Sequence, residues 1–281
     1  MNRIISKEQL SEKIFKFVIE APLIAASRKA GNFVIVRTGE RGERIPLTIA
    51  DADIEAGTIT IILQEVGASS KKICALKEGE YFTDVVGPLG KATKIGKVGT
   101  VLACCGGVGA APILPIVTAF KAAGNKVITI LAARNKDLLI LKDELAAQSD
   151  ELMIMTDDGS EGTKGLITAG MEEVIAREHI DECIAIGPGI MMKFCALVTK
   201  KYDIPTMASL NAIMVDGTGM CGACRVTVGG ETKFTCVDGP EFDAHKIDFD
   251  EFLLRLGGYR DEEAILNKQH DENHKCSCGC H

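Results

Sequence analysis

One short glycine-rich stretch constrains the C-terminal part of this chain more than any other feature. Its sequence is Asp216-Gly-Thr-Gly-Met-Cys221-Gly-Ala-Cys224, and Cys236 follows further along. With a cysteine in place of Asp216, the spacing would be C-x4-C-x2-C…C, the plant-type pattern of [2Fe–2S] ligands. The glycines between these positions permit positive φ angles and the close backbone approach that a loop around a small cluster needs. The pattern therefore predicts a [2Fe–2S] site with Asp216, Cys221, Cys224 and Cys236 as ligands.

Alternatives remain open for these four residues. The cysteines are also compatible with small buried side chains or with half of a zinc site. If the carboxylate of Asp216 is not a ligand, water or a more distant residue takes its place, or the cluster has only three protein ligands. The intervening glycines and the distal Cys236 favour the cluster over the other interpretations.

Length and composition limit the class of protein. The 281 residues exceed the roughly 100–200 of a usual single domain, which favours two or three domains. A net charge of −7 and the lack of a basic patch argue against nucleic-acid binding. Neither the apolar core of a signal peptide nor an uncharged run of the ~18 residues that cross a bilayer is present. We therefore expect a cytoplasmic protein whose 11 cysteines are metal ligands and free thiols.

Hydrophobic patterning divides the chain into three regions and a tail. Short β-branched runs such as 14–19 and 58–63, separated by Gly, Pro and Asp turns, predict a β barrel at the start. Strands alternating with helices of roughly 10–15 residues then predict a parallel α/β sheet. The predicted boundaries are 1–96 for the barrel, 97–205 for the α/β domain, 206–260 for a cluster module and 261–281 for a polar, mobile Cys/His-rich tail.

Two stretches of the predicted barrel are suited to phosphate groups. The first places an arginine, whose planar donors match phosphate oxygens, beside a hydroxyl, although a surface arginine before a proline is the simpler explanation of this stretch alone. The second is a glycine and hydroxyl loop that opens a short helix, whose N–H groups attract a second phosphate. Their candidate binding residues are Arg44, Pro46, Leu47, Thr48, Gly67, Ser69 and Ser70.

Three turns after predicted strands of the α/β domain are suited to a dinucleotide. A glycine-rich turn lets a pyrophosphate approach the backbone, although it is not G-x-G-x-x-G and a turn without a ligand is the alternative. Two adjacent carboxylates can accept hydrogen bonds from ribose hydroxyls and repel a 2′-phosphate, which favours NAD(H) over NADP(H). Adjacent aspartates, however, often only stabilise a turn. The third turn falls at the carboxyl edge of the sheet. The candidates are Gly106, Gly107, Gly109, Ala110, Asp157, Asp158 and Gly187.

The tail is rich in soft metal ligands. Three alternating cysteines with flanking histidines are suited to zinc or another metal, and an adventitious metal-binding end without a role in turnover is the alternative. The residues concerned are His274, Cys276, Cys278, Cys280 and His281.

Taken in order, the motifs resemble a known family. Residues 44–48, 106–112 and 156–165, followed by the cysteine stretch, are similar to the motifs of ferredoxin-NADP reductase-like flavoproteins over about residues 1–258. Within that family, the chain resembles the electron-transfer subunit of dihydroorotate dehydrogenase. That subunit has four cysteines at the cluster, however. The pattern of Asp216 followed by three cysteines resembles instead that of the small subunits of NADH-dependent ferredoxin:NADP⁺ oxidoreductases, also called sulfide dehydrogenases.

The resemblance implies three cofactors and a partner. FAD would lie on the barrel, NAD(H) on the α/β domain and the [2Fe–2S] cluster in the C-terminal module. Flavin must stand between the other two, because NAD(H) exchanges hydride whereas a cluster accepts single electrons. The implied partner is a large flavin and [4Fe–4S] subunit of an electron-bifurcating complex. By the same resemblance, the flavin contacts would come from Arg44, Leu47, Thr48, Gly67, Ser69 and Ser70.

Two other functions remain open at this stage. The chain would instead serve a dihydroorotate dehydrogenase or a glutamate synthase-like partner if that is the neighbouring large subunit. A metal-binding module without flavin is the alternative that is not an enzyme, and a colourless purified protein would favour it.

We expect Asp216→Cys to keep a cluster but to shift its reduction potential, because a thiolate replaces a harder oxygen donor. EPR spectroscopy and redox titration of the variant beside the unsubstituted protein measure the shift. An unchanged spectrum and an unchanged potential would rule out Asp216 as a ligand.

Overall fold

A computed structural model describes residues 2–40 and 42–277, which form two seven-stranded sheets and a two-stranded ribbon. The strands are β1 (Asn2–Ser11), β2 (Ile14–Glu20), β3 (Phe33–Arg37), β4 (Ile45–Asp53), β5 (Thr58–Gln64), β6 (Tyr81–Phe82), β7 (Asp84–Leu89), β8 (Thr100–Gly106), β9 (Lys126–Ala133), β10 (Glu151–Thr156), β11 (Thr163–Lys164), β12 (Glu182–Ile186), β13 (Thr206–Ser209), β14 (Arg225–Val228), β15 (Glu231–Phe234) and β16 (Glu241–Asp243). The helices are α1 (Pro22–Ser27), α2 (Ala68–Ala75), α3 (Ala110–Ala122), α4 (Lys142–Gln148), α5 (Ile167–Arg177), α6 (Gly189–Lys201), α7 (Thr235–Asp238), α8 (Phe249–Leu256) and α9 (Arg260–Ser277).

The first sheet is antiparallel and has the order β6-β1-β2-β5-β4-β3-β7. Its inner side chains alternate along the strands, as in β2, where Phe17 and Ile19 are fully buried and pair with Ile61 and Ile59 of β5. Phe17 also meets Phe82 edge to face, with ring centroids 6.1 Å apart. Each such side chain contributes about 1.5–3 kcal/mol by leaving water. These features confirm the predicted barrel.

The second sheet is mainly parallel, with the order β11-β10-β9-β8-β12-β13-β16. Helices α3 and α4 cover one face, and α5, α6 and α8 cover the other, so that β8 and β9 are almost continuously buried, as expected for a parallel sheet. The chain runs outward from β8 to β10 on one side and resumes at β12 on the other. This reversal creates a crevice at the carboxyl ends of β8 and β12, where such sheets bind ligands.

Some elements differ from the sequence pattern. The pattern predicts one helix over 136–148, but the chain forms a 3₁₀ turn at Lys136–Leu138 and then α4, because Leu141 adopts a left-handed backbone with φ 57°. The pattern does not predict α6, because this helix carries apolar side chains on all its sides, which masks the helical period of its hydrophobic residues. Of the predicted tail, residues 261–277 lie in the helix α9. Within the described ranges, no helix combines the length and the apolar character of a membrane span.

The barrel, the connector to β8 and β16 meet at one junction. The connector residue Thr93 donates its N–H to Ala30 of the barrel at 2.9 Å, and Lys91 donates its N–H to Gly239 at 2.6 Å. The Thr93 hydroxyl also donates to the carboxyl group of Glu241, at 2.6 Å. The junction therefore fixes the barrel against the C-terminal module.

Glu241 is the buried ionisable group of this junction. Although the residue keeps some exposed surface, its carboxyl group is packed among protein atoms, and this burial raises its pKa to about 7. The hydrogen bond from Thr93 opposes the shift, and the negative charge of Glu182 adds to it. The folded protein therefore retains a proton on Glu241 that the unfolded chain releases.

We expect the stability of the protein to fall as pH rises from about 4.5 to about 7, and Glu241→Gln to remove this part of the decline. When folding raises the pKa of a group, the group adds stability that is fully present at a pH below its pKa in the unfolded chain. This stability is lost as the pH rises through the pKa of the group in the folded protein. The variant should exceed the unsubstituted protein at pH 8 by about 1–3 kcal/mol in free energy of unfolding. Denaturant unfolding at pH 5 and pH 8 measures the difference.

The matched control is Glu172→Gln, which removes a carboxylate on the surface, where it pairs with Lys201 at 3.1 Å. This control should leave the pH dependence unchanged. Equal pH dependence in the Glu241→Gln variant and the unsubstituted protein would contradict the assignment.

Candidate functional site

The carboxyl ends of β8 and β12 lie against each other through glycines. A Cβ on Gly109 would overlap the carbonyl oxygen of Ile186, and one on Gly106 would lie 2.5 Å from the sulfur of Met191. A Cβ on Gly187 would lie 2.7 Å from the terminal methyl of the same Met191. Packing between the two loops therefore requires glycine at position 109, whereas a side chain at position 106 or 187 would displace the flexible end of Met191.

Gly107 differs from these three glycines. It has φ 55°, a left-handed backbone, and no atom lies within 4 Å of the place where its Cβ would be. Ala110 follows at the buried start of α3, whose N-terminal N–H groups and dipole favour a negative charge. Open space therefore lies beside a helix N-terminus, which is what a pyrophosphate needs.

The two aspartates after β10 lie at the same edge of the sheet. Asp158 accepts a hydrogen bond at 2.9 Å from the N–H of Ser160, and the Ser160 hydroxyl and N–H hold the pKa of this carboxyl below its usual value. Asp158 thus stabilises its own turn, as the sequence alternative proposed. The side chain of Asp157 is exposed beside it.

The loop before α2 divides its polar groups between structure and open space. The hydroxyl of Ser70 accepts the N–H groups of Val66 at 2.8 Å and Gly67 at 2.9 Å, so that it caps the helix. The hydroxyl of Ser69 donates to the carboxylate of Glu43. A Cβ on Gly67 would meet no atom within 4 Å, which leaves room there for a ligand.

Arg44 contacts a different part of the chain. Its guanidinium donates to the carbonyl oxygens of Val215 and Asp216, the latter at 3.4 Å, in the segment that carries the candidate cluster ligands. The remaining predicted residues of this part of the barrel are half-buried on β4 and pair with β3. They are Pro46, Leu47 and Thr48.

We call residues 215–224 the cluster loop. The carboxylate oxygens of Asp216 accept the N–H groups of Thr218 and Cys221, each at 2.9 Å. These hydrogen bonds, with that of Thr218 the largest cause, hold the pKa of Asp216 below its usual value. The side chain is therefore a carboxylate near neutral pH, the form that can bind a metal.

Cys224 and Cys236 form a second pair. Their sulfur atoms are 3.2 Å apart, and both residues are buried. Burial, followed by the contact with Cys224, raises the pKa of Cys236 to about 12. A thiol with such a pKa can still ligate a metal, because metal binding displaces its proton.

The donor set fits a two-iron cluster. Asp216 and Cys221 form one hydrogen-bonded pair, and Cys224 and Cys236 form the other. A [2Fe–2S] cluster takes four protein ligands, two on each iron, so two adjacent pairs suit its chemistry. Nowhere in the described parts of the chain do three or more His, Cys, Asp or Glu side chains converge on a single metal-sized position.

Glycines bring the cluster loop against the barrel. Gly217 and Gly219 have φ 79° and 85°. A Cβ on Gly217 would lie 2.6 Å from Ile35 and 2.8 Å from Leu89, both on the barrel. The loop therefore rests directly on the barrel wall, with no room for a side chain between them.

Sequence reasoning missed Arg255 and Glu241, and part of the predicted tail lies outside the described residues. Arg255 of α8 donates to the carbonyl of Ala223 at 3.1 Å, a contact across the chain that no local motif signals. Glu241 was also missed, because only its surroundings distinguish it from other glutamates. Of the predicted tail ligands, Cys278, Cys280 and His281 lie outside the described residues, and the side chains of His274 and Cys276 are not described.

Comparison with known proteins gives consistent results for the sequence. Residues 211–248 match the family described as the iron–sulfur cluster binding domain of dihydroorotate dehydrogenase B. The chain is 48% identical over 265 residues to a Thermotoga maritima protein named as a homolog of the dihydroorotate dehydrogenase B (NAD(+)) electron transfer subunit, with 94% of each chain covered. A probable electron transfer subunit from Methanocaldococcus jannaschii is 41% identical over 196 residues, which cover 69% of this chain and 73% of that one.

Solved structures give the same result for the fold. A chain of the NADH-dependent reduced ferredoxin-NADP oxidoreductase, studied for flavin-based electron bifurcation, matches with a TM-score of 0.91 and 46% identity over 96% of this chain and 97% of that one. Phthalate dioxygenase reductase matches with a TM-score of 0.62 at 16% identity, over 84% and 93%, and shows the fold alone. The predicted resemblance and the ferredoxin reductase-like fold are confirmed. The chain is an oxidoreductase subunit, and it belongs to the family of dihydroorotate dehydrogenase B electron-transfer subunits and their homologues.

Proposed function

We propose that this chain passes electrons between NAD(H) and a larger partner subunit, with FAD on the barrel and a [2Fe–2S] cluster in the cluster loop. When bound, the flavin exchanges hydride for single electrons, which the cluster carries. The observation that carries the proposal is the contact of the cluster loop with the barrel wall at Gly217. This contact places the candidate ligands beside the domain that would hold the flavin.

The α/β domain supplies the nucleotide site in this proposal. The open space at Gly107 and the N-terminus of α3 would hold the pyrophosphate of NAD(H). The exposed carboxylate of Asp157 would accept hydrogen bonds from the ribose hydroxyls. These residues bind and orient the nucleotide, and hydride transfer requires no general acid from the chain.

The barrel supplies the flavin site. The open space at Gly67 lies at the start of α2, where N–H groups favour a phosphate. The half-buried side chains of Leu47 and Thr48 on β4 offer an apolar and a polar contact to the ring system. Ser70 would act indirectly, by holding the loop in shape through its helix cap.

The cluster loop supplies the exit for single electrons. Met220 is 89% exposed, and the neighbouring Cys221 is exposed as well. Val215 is half-exposed at the start of the loop. A cluster ligated by Cys221 would therefore lie close to the surface, where a redox partner can approach.

The partner in this proposal is a large flavin and [4Fe–4S] subunit, as in an electron-bifurcating NADH-dependent ferredoxin:NADP⁺ oxidoreductase. The similarity to that enzyme over nearly the whole chain and the carboxylate at Asp216 support it. The match of residues 211–248 favours a second candidate, in which the chain serves a dihydroorotate dehydrogenase or a glutamate synthase-like subunit. Purification of the native complex and identification of the co-purifying subunit decide between them.

The cofactor content tests the proposal directly. Protein produced with iron and sulfide should contain one FAD and two irons per chain, show a [2Fe–2S] EPR signal when reduced, and lose flavin absorbance on addition of NADH. A colourless protein without flavin would contradict the proposal and favour the metal-binding module.

We expect NADH to reduce the flavin faster than NADPH, and Asp157→Asn to narrow the difference by roughly 2- to 10-fold, because the carboxylate repels a 2′-phosphate. Stopped-flow absorbance measures both rates. Asp53→Asn, which changes an exposed carboxylate on the barrel, is the matched control and should keep the full preference. Equal rates with the two nucleotides in the unsubstituted protein would overturn the assignment.

We expect Gly107→Ala to raise the KM for NADH, because its methyl group would enter the space assigned to the pyrophosphate. The left-handed backbone at this position also costs an alanine about 1–2 kcal/mol. Gly230→Ala is the matched control, since Gly230 has φ 81°, equally open surroundings and a place in the β14–β15 hairpin. Both variants should lose similar stability, and an equal KM in the two would place the nucleotide elsewhere.

A further inference from the structure

Three arginines donate to carbonyl oxygens of the cluster loop. Arg44, which precedes β4 of the barrel, contacts the first carbonyls of the loop, those of Val215 and Asp216. Arg255 comes from the last turn of α8 and donates to Ala223 at 3.1 Å. Guanidinium groups from two separate parts of the fold therefore hold the two ends of one loop.

The third arginine is local to the loop. Arg225, the first residue of β14, donates to the carbonyl of Gly222 at 3.1 Å. Its side chain is exposed, whereas those of Arg44 and Arg255 are half-buried. Together the three guanidiniums contact both ends of the loop and leave its middle free of them.

The N–H groups in the middle of the loop donate to candidate ligands. Those of Thr218 and Cys221 donate to the carboxylate of Asp216. The N–H of Gly219 donates to the sulfur of Cys236. The amide groups therefore already point to candidate ligands, while the carbonyls at the ends of the loop point to arginines.

We propose that Arg44, Arg225 and Arg255 are positioning residues that hold the carbonyls of the cluster loop outward, so that its N–H groups face the cluster ligands. The inference rests on the proposed function, since it assumes that the loop binds the cluster. A guanidinium suits this role, because it has five donors and keeps its charge at every physiological pH.

This arrangement has an electrostatic consequence. Hydrogen bonds to the sulfur ligands and nearby positive charge both favour the reduced, more negative form of an iron–sulfur cluster. Outward-facing carbonyls keep the negative ends of their dipoles away from that charge. The arginines therefore raise the reduction potential of the cluster, and they do so without a pH dependence of their own.

Arg44 has a second consequence, because it lies outside the cluster module. The sequence assigns it to a flavin phosphate, whereas its guanidinium contacts the cluster loop. In this inference, its guanidinium also ties the loop to the barrel. The two roles predict different losses when the side chain is shortened.

The experiment uses the protein with its cofactors and the variants Arg44→Gln, Arg225→Gln and Arg255→Gln. Each variant should show a more negative cluster potential in an EPR-monitored redox titration and altered EPR g values, and Arg225→Gln and Arg255→Gln should keep one FAD per chain. Arg44→Lys, which keeps the charge but not the planar fork, should recover part of the potential and not the g values. Arg177→Gln is the control, since Arg177 pairs with Glu151 on the surface of α5 and should leave both readouts unchanged.

The retained FAD shows that the barrel of the Arg225→Gln and Arg255→Gln variants is folded. If Arg255→Gln is insoluble, the exposed Arg225 gives the same readout. Unchanged potentials and g values in folded variants would overturn the inference, as would an Arg44→Gln variant that loses FAD and keeps the cluster signal unaltered. Failure of the proposed function is distinguishable, because the unsubstituted protein would then lack the [2Fe–2S] signal altogether.

Discussion

The structure depends on the close contact between the cluster loop and the barrel. A side chain at position 217 would collide with Ile35 and Leu89, so glycine is the residue that lets the two surfaces meet. Arg44 reinforces the contact from the barrel side through two main-chain carbonyls. Because the loop and the barrel are fixed to each other, any group bound in one lies at a set distance from any group bound in the other. Electron transfer over such a distance needs no moving part.

The glycines of the nucleotide site show that a motif can combine two requirements. Gly106, Gly109 and Gly187 allow the ends of β8 and β12 to pack, whether or not a ligand is bound. Gly107 alone among the four faces open space. The crevice at the switch point of the sheet is therefore built by internal packing, which leaves open space at one position. Local sequence shows both kinds of glycine in one run and cannot separate them.

Sequence was sufficient where the determining interactions are local. Alternation in β2 and β5 predicts the barrel, and the glycines at 217 and 219 predict the positive φ angles of the cluster loop, because neighbours in sequence make these features. It was insufficient where partners are distant: Arg44 finds its partners at 215 and 216, and the raised pKa of Glu241 comes from burial at a junction of three segments. Ser70 has the residue type expected for a phosphate contact, yet its hydroxyl caps α2. The ligand sites themselves stay predictions.

The contacts of Gly217 and Arg44 also determine an order of assembly. The barrel residues leave the ribosome before those of the cluster loop, and domains generally fold as units in that order. The cluster loop, by contrast, takes its shape from Ile35, Leu89 and Arg44, which belong to a domain synthesised earlier. A completed barrel is thus the template on which the cluster loop forms, and in the proposed function iron and sulfide delivered before the barrel has folded would meet cysteines that are not yet arranged to receive them.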